Sequence, residues 1–73
     1  MTPLRLRIAE LRAVKHWSQS ELADQAGLSR ATVNRIEQGR IGRIEFATLE
    51  ALADALNVDV GYLFERSHTG RGK

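Results

Sequence analysis

The chain has 73 residues, a formal net charge of +2, one proline and no cysteine. A chain of this length builds one small core worth about 3–5 kcal/mol of net stability, so oligomerisation would help it and a separate ligand-binding module has no room. The missing cysteine excludes disulfide staples, thiolate zinc sites and a thiol nucleophile, and it fits a reducing cytoplasm. No apolar run approaches the roughly 20 residues of a membrane span, so no membrane is expected, and residues 1–7 lack the apolar stretch and cleavage site of a signal peptide.

In chain order, Thr2 and Pro3 suit a helix entrance. Leu4, Ile8 and Leu11 recur at helical spacing, which predicts a first helix over 4–15 with those residues inward. Arg5 and Arg7 flank that stripe and are read as solvated charges, while Arg12 follows Leu11 close to the buried seam. Ser18 and Glu21, three apart, have the spacing of a capping box, and Trp17 with Leu22 has that of a hydrophobic staple. Trp17 is therefore read as core rather than as a stacking platform. Leu22, Ala23 and Ala26 share one face of this second helix, which Gly27 ends. Ser29 caps a third helix over 30–38, closed by Gly39. Leu28, Val33 and Ile36 point inward; Arg30, Ala31, Asn34, Arg35 and Gln38 fall on the opposite face.

A loop with glycines at 39 and 42 follows. Phe46, Leu49, Leu52, Ala53 and Leu56 then trace a fourth helix over 46–56, with Glu50 and Asp54 on its wet side and Asn57 at its end. Asp59 caps a last short helix over 60–65 that carries Val60, Tyr62, Leu63 and Phe64. One helical face cannot bury all four, so part of this patch is expected to meet a partner. The domain is read as 1–65, and 66–73 as a flexible basic tail.

Charge is unevenly placed. Residues 1–43 hold eight basic and four acidic side chains, 44–65 hold five acids and no Lys or Arg, and the tail is basic again. Such a dipolar chain suits one face for a polyanion and another kept away from it, although chance clustering on a small surface would look the same.

Two short helices around a glycine corner make a helix-turn-helix, and the outward face of the second is the kind that reads DNA. Arg35 can give parallel donors to guanine O6 and N7, and Asn34 can pair bidentately with adenine. Arg30 reaches a base or the nearby backbone, Ala31 admits a thymine methyl, and Ser29 can cap and still offer a hydroxyl to phosphate. Each arginine alone reads as a solvated charge. Four of them (Arg30, Arg35, Arg40, Arg43) against one acid (Glu37) shift the balance toward a polyanion site. Glu50 and Asp54 have no nucleophile or pocket signature beside them, and His16 and His68 are too isolated for a metal site. No glycine-rich phosphate loop or triad spacing is present. The sequence therefore suggests no catalytic residue, no metal, no cofactor and no small-molecule substrate.

The stretch resembles the helix-turn-helix of the phage-repressor, Cro-like family of DNA-binding regulators. The resemblance is carried by Leu-Arg at 11–12, Ser-Gln-Ser-Glu-Leu-Ala at 18–23, Gly-Leu-Ser at 27–29, Ile-Glu-Gln-Gly at 36–39 and Thr-Leu-Glu-Ala-Leu-Ala-Asp-Ala-Leu-Asn-Val at 48–58. It covers roughly residues 4–65. It implies an all-α, compact five-helix bundle of the lambda-repressor-like type. It also implies an Arg12–Glu37 pair tying the first helix to the recognition helix, with the alternative of two independent surface charges. Gln19 would grip backbone phosphate from a helix start, and Arg40 and Arg43 would add backbone contacts from the following loop. Two departures stand out. The family often carries proline where Ile44 stands, and polar residues where Gly61 and Tyr62 lie.

The resulting expectation is a cytoplasmic transcriptional regulator, a repressor, binding a pseudo-palindromic double-stranded operator as a homodimer. Its dimer surface would gather Ile44, Val60, Tyr62 and Phe64. The alternatives are an antitoxin-like module that neutralises a partner protein, and the controller of a restriction–modification operon or phage switch.

Overall fold

The structure, a computed structural model, describes residues 4–40 and 42–66. Thr2, Pro3, Ile41 and, of the tail expected over 66–73, everything after Arg66, His68 included, lie outside the described residues.

At the start of the chain, the alternation Leu4-Arg5-Leu6-Arg7 prevails over the helical spacing of Leu4, Ile8 and Leu11. Leu4–Leu6 forms strand β1, and helix α1 begins only at Ile8 and runs to Val14. β1 pairs antiparallel with β2 (Phe64–Arg66), in the register Leu4↔Arg66, Arg5↔Glu65, Leu6↔Phe64. The expected helix over 4–15 is thus shorter by a turn. Period two suits a two-stranded ribbon as well as spacing of four suits a helix, and here the far end of the chain supplies the partner. Arg7, expected as a solvated charge, locks the ribbon. Its N–H donates to the Leu63 carbonyl at 2.8 Å, its Nε donates to the Tyr62 carbonyl at 2.9 Å, and its guanidinium sits 4.4 Å from the Tyr62 ring centre.

Helices α2 (Gln19–Ala26), α3 (Arg30–Glu37) and α4 (Phe46–Leu56) follow as the sequence predicts. Among the described residues all four α-helices end the same way, on a left-handed residue whose successor donates back to the carbonyl five positions earlier. The left-handed residues are His16, Gly27, Gly39 and Asn57, and the accepting carbonyls belong to Arg12, Ala23, Arg35 and Ala53. This closure satisfies carbonyls that a helix end would otherwise leave orphaned. His16 does it with a β-carbon, where glycine would be less strained.

The expected fifth α-helix over 60–65 is instead a single 3-10 turn, Val60–Leu63, that runs directly into β2. The tighter turn and the strand distribute the apolar cluster that no helical face could bury. Leu63 is fully buried, while Val60 and Phe64 are half-buried against the core. Among the described residues the architecture is a compact, all-α helix-turn-helix bundle with four α-helices, to which the ribbon of β1 and β2 is added. Ile8, Leu22, Ala23, Val33, Ile36, Leu49, Leu52, Ala53, Leu56 and Leu63 form one core. Phe46 departs from the predicted inward stripe and is 62% exposed, because it occupies the first position of α4 at the rim of that stripe. The corner between α2 and α3 is held on this core from both sides, by Leu22 and Ala23 on one helix and Val33 and Ile36 on the other.

Candidate nucleic-acid interface

The local sequence builds two well-capped helices. Ser18 Oγ accepts from the Glu21 amide at 3.1 Å, and Glu21 Oε1 accepts from the Ser18 amide at 2.7 Å, the reciprocal bonds of the expected capping box. Ser29 Oγ accepts from the Thr32 amide at 3.0 Å and lies 2.8 Å from Thr32 Oγ1. One hydroxyl proton is shared between Ser29 and Thr32, so only one of the two remains to donate outward. Thr32 is the residue that sequence reasoning missed; its place three positions after a serine cap was the available signal.

With Val33 and Ile36 buried, Arg30, Ala31, Arg35 and Gln38 are exposed on the outer face of α3, as the helical spacing predicts. Arg40 and Arg43 are exposed in the segment that follows, close in sequence to that face. Asn34 lies in the middle of the face but is half-buried. Arg40 is drawn to the helix end, where its Nη1 donates to Gln38 Oε1 at 3.0 Å.

Behind this face, Arg12 and Glu37 pair as the resemblance implied. Arg12 Nε donates to Glu37 Oε2 at 2.6 Å, Arg12 Nη2 to Glu37 Oε1 at 3.0 Å, and Arg12 Nη1 to the Trp17 carbonyl at 2.8 Å. The side chains are 21% and 7% exposed, respectively. Burial pushes the Glu37 carboxyl up, but the hydrogen bonds from Arg12 and Gln19 outweigh it and hold the pKa below its ordinary 4.5. The Arg12 guanidinium is raised above its usual value, chiefly by its hydrogen bond to Glu37. The pair is therefore fully charged at neutral pH.

Gln19, expected to hold phosphate, has its side-chain donors engaged. Nε2 donates to Glu37 Oε1 at 2.9 Å and to Asn34 Oδ1 at 3.2 Å. Gln38 Nε2 donates to the same Asn34 oxygen at 3.3 Å. A continuous polar chain thus runs from Arg12 on α1 to Glu37 at the end of α3, through Gln19 on α2, and back to Asn34 on the outer face of α3. Of the residues expected at a dimer surface, Ile44, Val60 and Phe64 pack half-buried against the core, and only Tyr62, at 51% exposed and beneath Arg7, faces outward. Val14 and Phe46 are exposed apolar residues the sequence had not flagged. Among the described residues no group of three or more His, Cys, Asp or Glu is placed to hold a metal ion, and no helix is long and apolar enough to cross a membrane.

A helix-turn-helix family profile matches residues 8–63. The chain is 36% identical over 58 residues to the HTH-type transcriptional regulator RghRB of Bacillus subtilis (strain 168), covering 80% of this chain and 42% of that one. It is similar to the hypothetical transcription factor NHTF from Neisseria, with 39% identity, 77% of this chain and 62% of that chain covered, and a TM-score of 0.72. It is also similar to SinR, a master regulator for biofilm formation from Bacillus subtilis, solved in complex with DNA. There the identity is 33%, coverage is 78% of this chain and 90% of that chain, and the TM-score is 0.74. SinR has also been solved in complex with the protein SinI. The chain spans less than two thirds of the length of both RghRB and NHTF. With the profile covering most of the chain and the Arg12–Glu37 pair in place, this chain belongs to the Cro-like helix-turn-helix family.

Proposed function

We propose that the chain is a sequence-specific regulator of transcription, a repressor of the cytoplasm, that inserts α3 into the major groove of double-stranded DNA. The observation that carries this reading is the outer face of α3. Arg30, Ala31 and Arg35 are exposed on a helix whose other side is fixed in the core, and Arg40 and Arg43 follow it. Arg30 and Arg35 supply forked donors for base edges, and Ala31 leaves room for a thymine methyl. Arg40, Arg43, the one hydroxyl of the Ser29–Thr32 pair left to donate, and the backbone N–H of Gln19 at the start of α2 supply the phosphate frame that sets register. The DNA complex of SinR, a relative of the same fold, supports the reading.

Tyr62, together with Ile44, Val60 and Phe64, would supply the contact between two copies. Two half-sites would then lie about 34 Å apart. A protein partner is the second reading, favoured by the exposed Val14, Phe46 and Tyr62 and by the SinR–SinI complex. Selection of bound sequences from a randomised duplex pool, with sedimentation of the free and bound protein, tests both. A two-fold repeated motif and a dimer on DNA are expected. A chain that selects no sequence refutes the DNA reading, and a monomer on the selected site refutes the dimer.

A further inference from the structure

We infer that Glu37, acting through Gln19, locks the side-chain amide of Asn34 with its oxygen inward and its nitrogen outward, so that the centre of the recognition face offers donors only. The inference rests on the DNA reading for its consequence, but the lock itself is a property of the free chain.

Hydrogen-bond polarity fixes the orientation. An ionised carboxylate only accepts, and Glu37 is held ionised between Arg12 and Gln19. Gln19 must therefore turn Nε2, not Oε1, toward Glu37 Oε1. The second proton of that same nitrogen points at Asn34, 3.2 Å away, and so demands an acceptor there. Asn34 meets the demand with Oδ1, which also accepts from Gln38 Nε2. Both lone pairs of Oδ1 are then occupied, and Gln38 in turn shows its own oxygen to Arg40. Asn34 Nδ2 makes no hydrogen bond among the described residues, and its two protons are what remains for a ligand. A buried charge at the end of α3 thus sets, through Gln19 on α2, which end of a neutral amide on the same α3 faces out.

This reverses the expectation from sequence that Asn34 pairs bidentately with adenine. That pairing needs Oδ1 for the adenine N6 amino group and Nδ2 for N7. With Oδ1 occupied, the position suits the guanine edge, whose N7 and O6 both accept, and it disfavours the amino groups of adenine and cytosine. Gln19 and Glu37 are positioning residues here, and Asn34 is the group that touches the base.

Two measurements test this. In the free 15N-labelled chain, the Gln19 Nε2 protons should exchange with water more slowly than the Asn34 Nδ2 protons; the reverse order overturns the lock whether or not DNA is bound. Titrations against duplexes from the randomised-pool selection then test the consequence. Asn34→Ala identifies the base pair that Asn34 reads, which should be guanine-bearing in the wild type. Glu37→Gln replaces the acceptor-only carboxylate by an amide, one end of which donates, so Gln19 is no longer compelled to turn Nε2 toward position 37 and the lock on Asn34 is released. Adenine should gain on guanine at that one base pair by roughly fivefold or more. Should Glu37→Gln fail to fold, Gln19→Met cuts the chain while leaving the Arg12–Glu37 pair, and the same gain at the same pair should stand out above a uniform loss of affinity. Equal weakening of every sequence by these variants, or a wild type that prefers adenine at the Asn34 position, overturns the inference. A pool that yields no preferred sequence refutes base reading by α3 and its consequence at Asn34, while the amide exchange still decides the orientation.

Discussion

Arg12→Met is the perturbation whose cost the structure defines best. It removes two charge-assisted bonds to Glu37 and one to the Trp17 carbonyl. It also leaves a carboxylate that is 7% exposed with Gln19 as its remaining donor. Breaking a buried pair from one side costs about 3–5 kcal/mol, because the survivor keeps an unpaired charge away from water. Arg12 is itself 21% exposed, so water can reach the gap and the lower end, about 3 kcal/mol, applies. Against a domain worth about 3–5 kcal/mol, that brings the variant to the edge of unfolding. Glu37→Leu should cost less, about 2 kcal/mol, since the stranded guanidinium keeps the Trp17 carbonyl and partial access to water. The double variant leaves no stranded charge. It should lose only about 2–3 kcal/mol, well short of the sum, and the shortfall is the coupling between the two residues. Urea unfolding followed by Trp17, the single tryptophan, measures all four chains, with sulfate present to keep the weaker ones folded. Losses that add to within about 0.5 kcal/mol would refute a coupled pair.

Two further outcomes concern stability. Glu37 has a folded pKa below its ordinary 4.5, so the unfolded chain takes up the proton first as pH falls. Its contribution is fully present above that value and is lost as pH drops through the folded one. The advantage of the wild type over Arg12→Met/Glu37→Leu should therefore be flat from pH 7 to about 5 and shrink below it; urea titrations that show an unchanged or growing advantage at pH 3 would contradict this. His16→Gly should relieve the left-handed strain at φ 60 and stabilise by about 1 kcal/mol, raising Tm by roughly 4–8 °C in a thermal scan. A lowered Tm would mean that the His16 side chain makes an interaction worth more than the strain.

The central helices were legible because their signals are local. Ser18 and Glu21, Ser29, Gly27, Gly39 and Asn57 each mark an end through chemistry that needs no distant partner, and the stripe of Val33 and Ile36 fixes which side of α3 faces out. The ends of the chain were less legible. Whether Leu4, Arg5 and Leu6 extend a helix or form a strand is decided by residues 64–66, some sixty positions away, and the local pattern fits both. The same holds for 60–65, where a 3-10 turn lets Leu63 go inward and the strand carries the chain on to its partner. At the candidate interface, residue types and face were readable, but hydrogen-bond occupancy was not. Gln19 and Asn34 each have donors and acceptors on paper, and only the packed structure shows that one carboxylate behind them has committed the Gln19 donors and the Asn34 oxygen.

The claim that α3 reads sequence while the segment after it grips the backbone is tested most directly by comparing Arg35→Ala with Arg43→Ala. Both residues are exposed, one on the middle of the recognition helix and the other beyond its end. Each variant is titrated against the selected duplex and its single-base-pair substitutions at several salt concentrations. Arg35→Ala should cost about 1–3 kcal/mol on the selected site and flatten discrimination at one base pair of each half-site. Arg43→Ala should weaken selected and random duplexes alike and reduce the salt slope by about one unit for each phosphate that is no longer neutralised. If Arg35→Ala instead loses the same affinity for every sequence and changes only the salt slope, Arg35 holds phosphate and the outer face of α3 is not read as proposed.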